Sequence, residues 1–223
     1  MRSMNEQHAY KAFIFDLDGT LLNTLPDLVN VTNKALEEEG LPTHTPEQIL
    51  TYIGDGAARL IAQAVPTDAS PEQTERVFKN FKAFYRDFGI LHTTEFEGMN
   101  DVLQKVKDAG VRLAIMSNKF EQGVIDVRDR FFSSLIEVAH GESEAIPRKP
   151  DPTGLLLCAK ELGVDPRDAL FFGDSASDIQ AAHNAGMKGV AVMWGYQPHE
   201  RLLGAQPEYI IDTPADMLPL AGL

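Results

Sequence analysis

The sequence predicts an α/β fold: a doubly wound parallel sheet with an all-helical segment inserted after its first strand. Three observations carry this. Residues 10–17 read as a buried parallel strand, apolar without alternation from Ala12 to Phe15, the pattern of a strand buried on both faces. Residues 23–94 show helical periodicity only, and from Met99 onward helix and strand patterns alternate to the end of the chain.

The elements follow in order. After the first strand, Leu28, Val29, Thr32, Ala35 and Leu36 fall on one helical face, and Gly40 is placed to close that helix as a glycine just past its end. Thr45-Pro46-Glu47-Gln48 and Ser70-Pro71-Glu72-Gln73 both read as capping boxes with proline at the first helical position. Val77, Phe78, Phe81, Phe84, Tyr85 and Phe88 then make an aromatic stripe at helical spacing, which reads as core packing rather than a cofactor site. Beyond Met99 the pattern gives a helix stopped by Gly110, a strand over 111–116, a helix near 121–131 and a short strand near 135–139. A helix over 153–162 follows, capped by Asp151 with Pro152 at its first position. The remaining elements are a strand at 169–172, a helix at 177–185, a strand at 189–192, a weaker strand at 209–211 and a short terminal helix. Such alternation implies a Rossmann-like sheet with helices on both faces and ligands beyond the carboxyl ends of its strands.

At 223 residues, 43% hydrophobic, the chain can bury a substantial core. Its single cysteine, Cys158, excludes an internal disulfide framework and reads as a buried helix residue. Residues 1–6 lack the apolar core of a signal peptide, and no stretch is long and apolar enough to span a bilayer, so a cytoplasmic location is expected with no membrane partner. A formal net charge of −13 argues against nucleic acid, which needs a basic footprint. It also gives a small anion no long-range attraction, so anion binding has to be local. The six histidines show no metal-ligand spacing.

The chemistry gathers at strand ends. Asp16 and Asp18 stand two apart where the first strand finishes, so both point to one site. Two carboxylates in a poorly solvated place need cationic compensation, and a hard divalent ion supplies it. Gly19 permits a sharp turn, and Thr20 adds a hydroxyl where the chain leaves the sheet. Ser117-Asn118 follows the next strand, Lys149 precedes a capped helix, and Gly173-Asp174-Ser175-Ala176-Ser177-Asp178 sets two acids four apart across a strand-to-helix junction. Singly, each has an ordinary structural reading as a turn, cap or solvated charge; together they converge on one sheet edge.

The run Asp16-Leu17-Asp18-Gly19-Thr20-Leu21-Leu22-Asn23-Thr24 resembles the first motif of the haloacid dehalogenase superfamily of phosphohydrolases, and Ser117, Lys149 and Asp174 match its three later motifs in order. The resemblance covers nearly the full chain. It implies a core over 1–22 and 95–223 with a helical cap over 23–94, and Mg²⁺ as cofactor. By resemblance Asp16 is a nucleophile that forms an aspartyl-phosphate, while Asp18 protonates the leaving alkoxide and then accepts a proton from the attacking water. Asp16, Asp174 and the Asp18 backbone carbonyl hold the metal, with Asp178 supporting it directly or through water. Ser117 and nearby amides, with Thr20 and Asn118, bind the phosphate, and Lys149 holds Asp16 and neutralises phosphoryl charge. A carboxylate at Asp18 favours phosphate esters over halides, whose departure needs no proton.

The stretch Thr51-Tyr52-Ile53-Gly54-Asp55-Gly56-Ala57-Ala58-Arg59-Leu60 resembles the specificity loop of phosphoglycolate phosphatases within that superfamily. Gly54 and Gly56 would permit close backbone approach, and Arg59 is a candidate for a substrate carboxylate. Asn23 stands where many relatives carry an acid, and Asp55 adds negative charge where a carboxylate would bind. The expectation is a phosphatase of a small phosphorylated metabolite such as 2-phosphoglycolate, acting as a monomer or homodimer. A pyrophosphatase, a sugar-phosphate phosphatase or mutase, and a non-catalytic binding module on the same fold are the alternatives.

Overall fold

The computed structural model describes residues 10–223, so residues 1–6, read above as lacking a leader, lie outside the described residues. β1 (Ala12–Phe15) is fully buried and alternates faces: Phe13 and Phe15 enter one apolar cluster, Ala12 and Ile14 the other. β2 (Leu22–Asn23) follows, then α1 (Leu25–Glu38), α2 (Pro46–Leu50), α3 (Ala57–Ala64) and α4 (Pro71–Phe88). β3 (Thr94–Glu95) pairs antiparallel with β2, so the two tethers of the helical insert are hydrogen-bonded to each other. Asp27, in the first turn of α1, reinforces that link: its buried carboxylate accepts from the His92 backbone N–H at 3.0 and 2.9 Å and from Thr93 Oγ1 at 2.7 Å.

The alternating part comprises α5 (Met99–Asp108), β4 (Arg112–Phe120), α6 (Glu121–Phe131), β5 (Val138–Glu142), α7 (Thr153–Leu162), β6 (Ala169–Gly173), α8 (Ala176–Asn184), β7 (Lys188–Val192), α9 (His199–Gly204) and β8 (Tyr209–Ile211). Its six strands lie in the order β5-β4-β1-β6-β7-β8, all parallel. One face is covered by α5 and α6, through Met99, Val102, Leu103, Val106, Val124 and Val127. The other is covered by α7 and α8, through Leu155, Cys158, Leu162, Ala181 and Ala182. From β1 the chain runs to β4 and β5 on one side, then crosses to β6 on the other. The crevice at such a switch point opens beyond the carboxyl end of β1, which places the site there.

The helical insert has its own core: Val31 and Leu36 of α1 and Ile61 of α3 meet Val77, Phe81 and Tyr85 of α4. The aromatic stripe is therefore packing, with only its last member, Phe88, 40% exposed. Gly40 has φ +67 just past α1, the left-handed conformation that ends a helix. The box at Thr45 is reciprocal, whereas at Ser70 the hydroxyl accepts from the Gln73 N–H and Gln73 does not return the bond. β5 begins three residues later than its apolar pattern suggests, because Leu135 and Ile136 turn back to donate to the Phe132 carbonyl that ends α6. β4 runs on to Phe120, through Ser117 and Asn118, with its register broken between Met116 and Phe120.

Candidate active site

Three strand ends converge on one cavity of about 650 Å³ including its mouth, lined from below by Asp16, Asp18, Ser117, Asn118, Lys149, Asp174 and Asp178. The helical insert roofs it through Ile53, Gly54, Gly56, Leu60, Phe81 and Tyr85.

Asp16 leaves β1 with its backbone N–H still donating to Phe172 on β6 at 2.8 Å. Lys149 Nζ lies 2.6 Å from Asp16 Oδ1 and 2.6 Å from Asp178 Oδ1, all three side chains being enclosed. Asp178 is oriented by its other oxygen, which accepts from the Ser175 backbone N–H at 2.9 Å and from Ser175 Oγ at 2.6 Å in a reciprocal cap of α8. Asp174 Oδ2 accepts from the Tyr196 N–H at 2.7 Å. Glycines make room for this carboxylate. A Cβ on Gly195 would collide with Asp174 Cβ, and one on Gly19, at φ +87, would stand 2.5 Å from Asp174 Oδ2.

Carboxylate oxygens of Asp16, Asp174 and Asp178 lie within 4.8 Å of one another. Burial raises Asp16 from an ordinary 3.8 to about 6, a rise that Lys149 opposes and Asp178 adds to. Burial, then the charges of Asp178 and Asp16, lifts Asp174 well above its ordinary value. Three enclosed carboxylates with one lysine between two of them carry excess negative charge, and their hard oxygen donors fit a small divalent cation.

Asp18 is built differently. Both its oxygens accept from Lys119 Nζ, at 2.9 and 3.0 Å, so its carboxylate stands outside the three-acid cluster. Burial works against the charge on Lys119, but Asp18 beside it more than offsets this and holds the ammonium above its ordinary range. Asn118 ties parts together: its Oδ1 accepts from the Lys149 backbone N–H at 2.7 Å and its Nδ2 donates to Gly54 O in the roof at 3.0 Å. Ser117 is buried in the same wall, its Oγ accepting from the Lys119 N–H at 3.3 Å.

Two expected site residues do not reach the cavity. Thr20 is fully buried beneath the turn; its hydroxyl has no partner, and its carbonyl accepts from Trp194 Nε1 at 3.0 Å. Arg59 points to solvent, its side chain 63% exposed, and pairs with Asp55 at 3.1 Å one helical turn away. That pairing also answers the charge of Asp55, which is turned out of the cavity. Lys119 and Tyr196 are the residues that sequence reasoning missed. Lys119 stands two after Ser117 on β4 and so shares its face, a period-two signal that could have found it. Tyr196 follows the carboxyl end of β7, where a doubly wound sheet puts ligand-facing loops.

Residues 13–192 match the family described as Haloacid dehalogenase-like hydrolase. The phosphoglycolate phosphatase of Chromobacterium violaceum is 35% identical over 86% of this chain and 89% of its own length. That of Pectobacterium atrosepticum is 33% identical over 98% and 95%. A crystal structure from Lactobacillus delbrueckii subsp. bulgaricus, described provisionally as a phosphoglycolate phosphatase, superposes with a TM-score of 0.88 at 31% identity, covering 96% of this chain and 98% of that one. A subfamily IA hydrolase of the same superfamily from Geobacter sulfurreducens gives 0.74 at 25% identity, covering 99% and 100%. With a family match over residues 13–192, relatives one-third identical along nearly their whole length and a shared overall fold, the chain belongs to the haloacid dehalogenase-like hydrolases.

Proposed function

We propose that this chain is a Mg²⁺-dependent phosphatase that hydrolyses 2-phosphoglycolate through an aspartyl-phosphate on Asp16. The observation that supports the reaction is the pairing of two neighbouring carboxylates with two different lysines in one cavity: Asp16 with Lys149, Asp18 with Lys119. Phosphate monoesters resist hydrolysis unless a nucleophile is positioned and phosphoryl charge is stabilised. Asp16, held by Lys149 at its Oδ1, presents its other oxygen to phosphorus, while the Ser117 hydroxyl donates to a phosphoryl oxygen. Asp18 gives the leaving alkoxide its proton, then takes one from the water that cleaves the acyl-phosphate and frees Asp16. Mg²⁺ held by Asp16, Asp174 and Asp178 would supply positive charge against the transferring group. The names of the relatives support the choice of 2-phosphoglycolate.

Residues 1–22 and 95–223 are assigned to the catalytic core and 23–94 to the cap. No helix among the described residues is long and apolar enough to cross a membrane. Action in the cytoplasm, as a monomer or homodimer, on a small phosphorylated metabolite completes the proposal. Phosphate release from 2-phosphoglycolate by the purified protein, with and without Mg²⁺, tests it. Release that needs Mg²⁺ and vanishes in a folded Asp16→Asn variant is the expected result; full activity of that variant refutes the covalent route, and no release by the wild type refutes the substrate.

A further inference from the structure

Accepting 2-phosphoglycolate as substrate leaves open what receives its carboxylate, since Arg59 is turned to solvent and bound to Asp55. Two lysines line the cavity. Lys149 is enclosed between Asp16 and Asp178 on the nucleophile's side. Lys119 stands on the other side, gripping Asp18, the group that meets the ester oxygen. In phosphoglycolate the carboxylate carbon is two bonds from that oxygen, so an acid on the leaving group falls beside Lys119 as soon as the ester oxygen reaches Asp18.

Hydrogen-bond accounting agrees. An ammonium has three donors, and Asp18 takes two of those on Lys119. The roof above it comes from α4: the Lys119 Nζ lies 4.9 Å from the Tyr85 ring centroid, and the Tyr85 hydroxyl, buried in the cavity wall, stands beside the third Lys119 donor while its own proton meets no acceptor. A buried hydroxyl proton without an acceptor is costly, and a carboxylate placed beside Lys119 and Tyr85 accepts it. The neighbouring wall is Leu28, Leu60, Phe81 and Phe120, which offers nothing to the hydroxyls of a sugar and strengthens a charge pair by excluding water.

We infer that Lys119, assisted by the Tyr85 hydroxyl from the cap, is the specificity-determining residue that receives the carboxylate of the leaving group, so that the site selects phosphate monoesters of small 2-hydroxy acids. This rests on the phosphatase reading above and adds the class of leaving group.

The test compares 2-phosphoglycolate with its neutral counterpart of equal length, 2-hydroxyethyl phosphate, as a ratio of kcat/KM. In Lys119→Met both substrates slow, because Asp18 loses its partner, but the ratio favouring phosphoglycolate falls by about 10- to 100-fold, the worth of one buried charge-assisted hydrogen bond. Lys119→Arg keeps most of the preference, and Tyr85→Phe lowers it by several-fold. A wild type that prefers phosphoglycolate, with the ratio unchanged in Lys119→Met, overturns this inference and leaves the substrate standing: Lys119 then only positions Asp18. A wild type with no preference between the two overturns the substrate and the inference together. Should circular dichroism show Lys119→Met unfolded, Lys119→Gln is read by the same ratio and the same criteria.

Discussion

The three-acid cluster predicts that proton and metal compete for Asp16. Between its ordinary value of 3.8 and about 6, the folded protein keeps a proton on this carboxyl that the unfolded chain has released. The folded state then binds more protons than the unfolded one, so without metal this group's contribution to stability falls as pH rises through that window. A divalent cation reverses the balance, because it binds the ionised form. At pH 5, one unit below the folded value, it must first displace a proton, which costs about 1.4 kcal/mol or tenfold in affinity; at pH 8 it does not. Asp174 is pushed the same way by burial and by Asp178, so the tenfold is a floor. For a chain of this size about 1.4 kcal/mol corresponds to roughly 3 to 6 °C in Tm. The assay is thermal melting at pH 5 and pH 8, in EDTA and in a fixed Mg²⁺ concentration well above its Kd at both pH values, where a tenfold difference in affinity is read in full. The Mg²⁺-induced rise in Tm should be larger at pH 8 by that amount, and the difference should shrink in Asp16→Asn, which has no proton to displace at this position. An equal rise at both pH values, or a larger one at pH 5, refutes the assignment of these carboxylates to the metal.

Three other outcomes follow from the same geometry. Lys149→Met leaves Asp16 and Asp178 buried without their cation and should destabilise the metal-free protein by about 3 to 5 kcal/mol in urea unfolding, with Mg²⁺ restoring part of the loss. Asp18→Asn should lower the rate for alkyl phosphates by roughly two to four orders of magnitude and for aryl phosphates by less, since only the poorer leaving group depends on the proton; equal losses contradict the acid role. Gly56→Val should lower kcat/KM for 2-phosphoglycolate about tenfold or more while Mg²⁺ affinity is kept, because Gly56 has φ +83 and a Cβ there lies 3.0 Å from Asn118 O; unchanged kinetics remove this turn from the site.

How far the sequence carried the structure differs by residue. Phe13 to Asp18 were legible because a parallel strand buried on both faces has no polar position until its end, so the first acids mark the sheet's carboxyl edge. Asp178 was legible as a partner of Asp174 from spacing alone. Its ion pair with Lys149 was not, because Lys149 reaches the site through a loop whose path no local pattern fixes. Arg59 misled for a physical reason: one turn after Asp55 on an exposed helical face, it has a nearer carboxylate than any substrate's. Thr20 misled because a hydroxyl at a strand end reads alike whether it faces the ligand or packs under the turn. Asp27 left no signal, since an acid in a first helical turn is ordinary on the surface. Only the long-range approach of His92 and Thr93 makes it a buried tie.

The seating of the cap and the chemistry of the core depend on the same side chains. Three consecutive roof carbonyls each receive one hydrogen bond from below: Ile53 O from Gln197 Nε2 at 2.9 Å, Gly54 O from Asn118 Nδ2 at 3.0 Å, and Asp55 O from Arg148 Nη1 at 2.7 Å. The donors belong to the end of β4 and to the loops after β5 and β7, so no single segment can hold the turn by itself. Each also adjoins a working group. Asn118 fixes the backbone of Lys149, Arg148 precedes Lys149 in the chain, and Gln197 follows Tyr196, whose N–H orients Asp174. Tyr196 extends the chain of contacts to the tether, where its hydroxyl accepts from the Thr24 and Leu25 backbone N–H groups at 2.7 and 3.0 Å and donates to Asn23 Oδ1 at 3.0 Å. An acid at position 23 would take that proton equally well, so asparagine there keeps the contact while adding no charge near an already overcharged cluster. An opening of this cap about the paired tethers would break the three roof bonds and leave the Tyr196 contact with the tether in place. The residues that bond the roof are thus themselves bonded to, or adjacent in the chain to, those that carry the charge of the site.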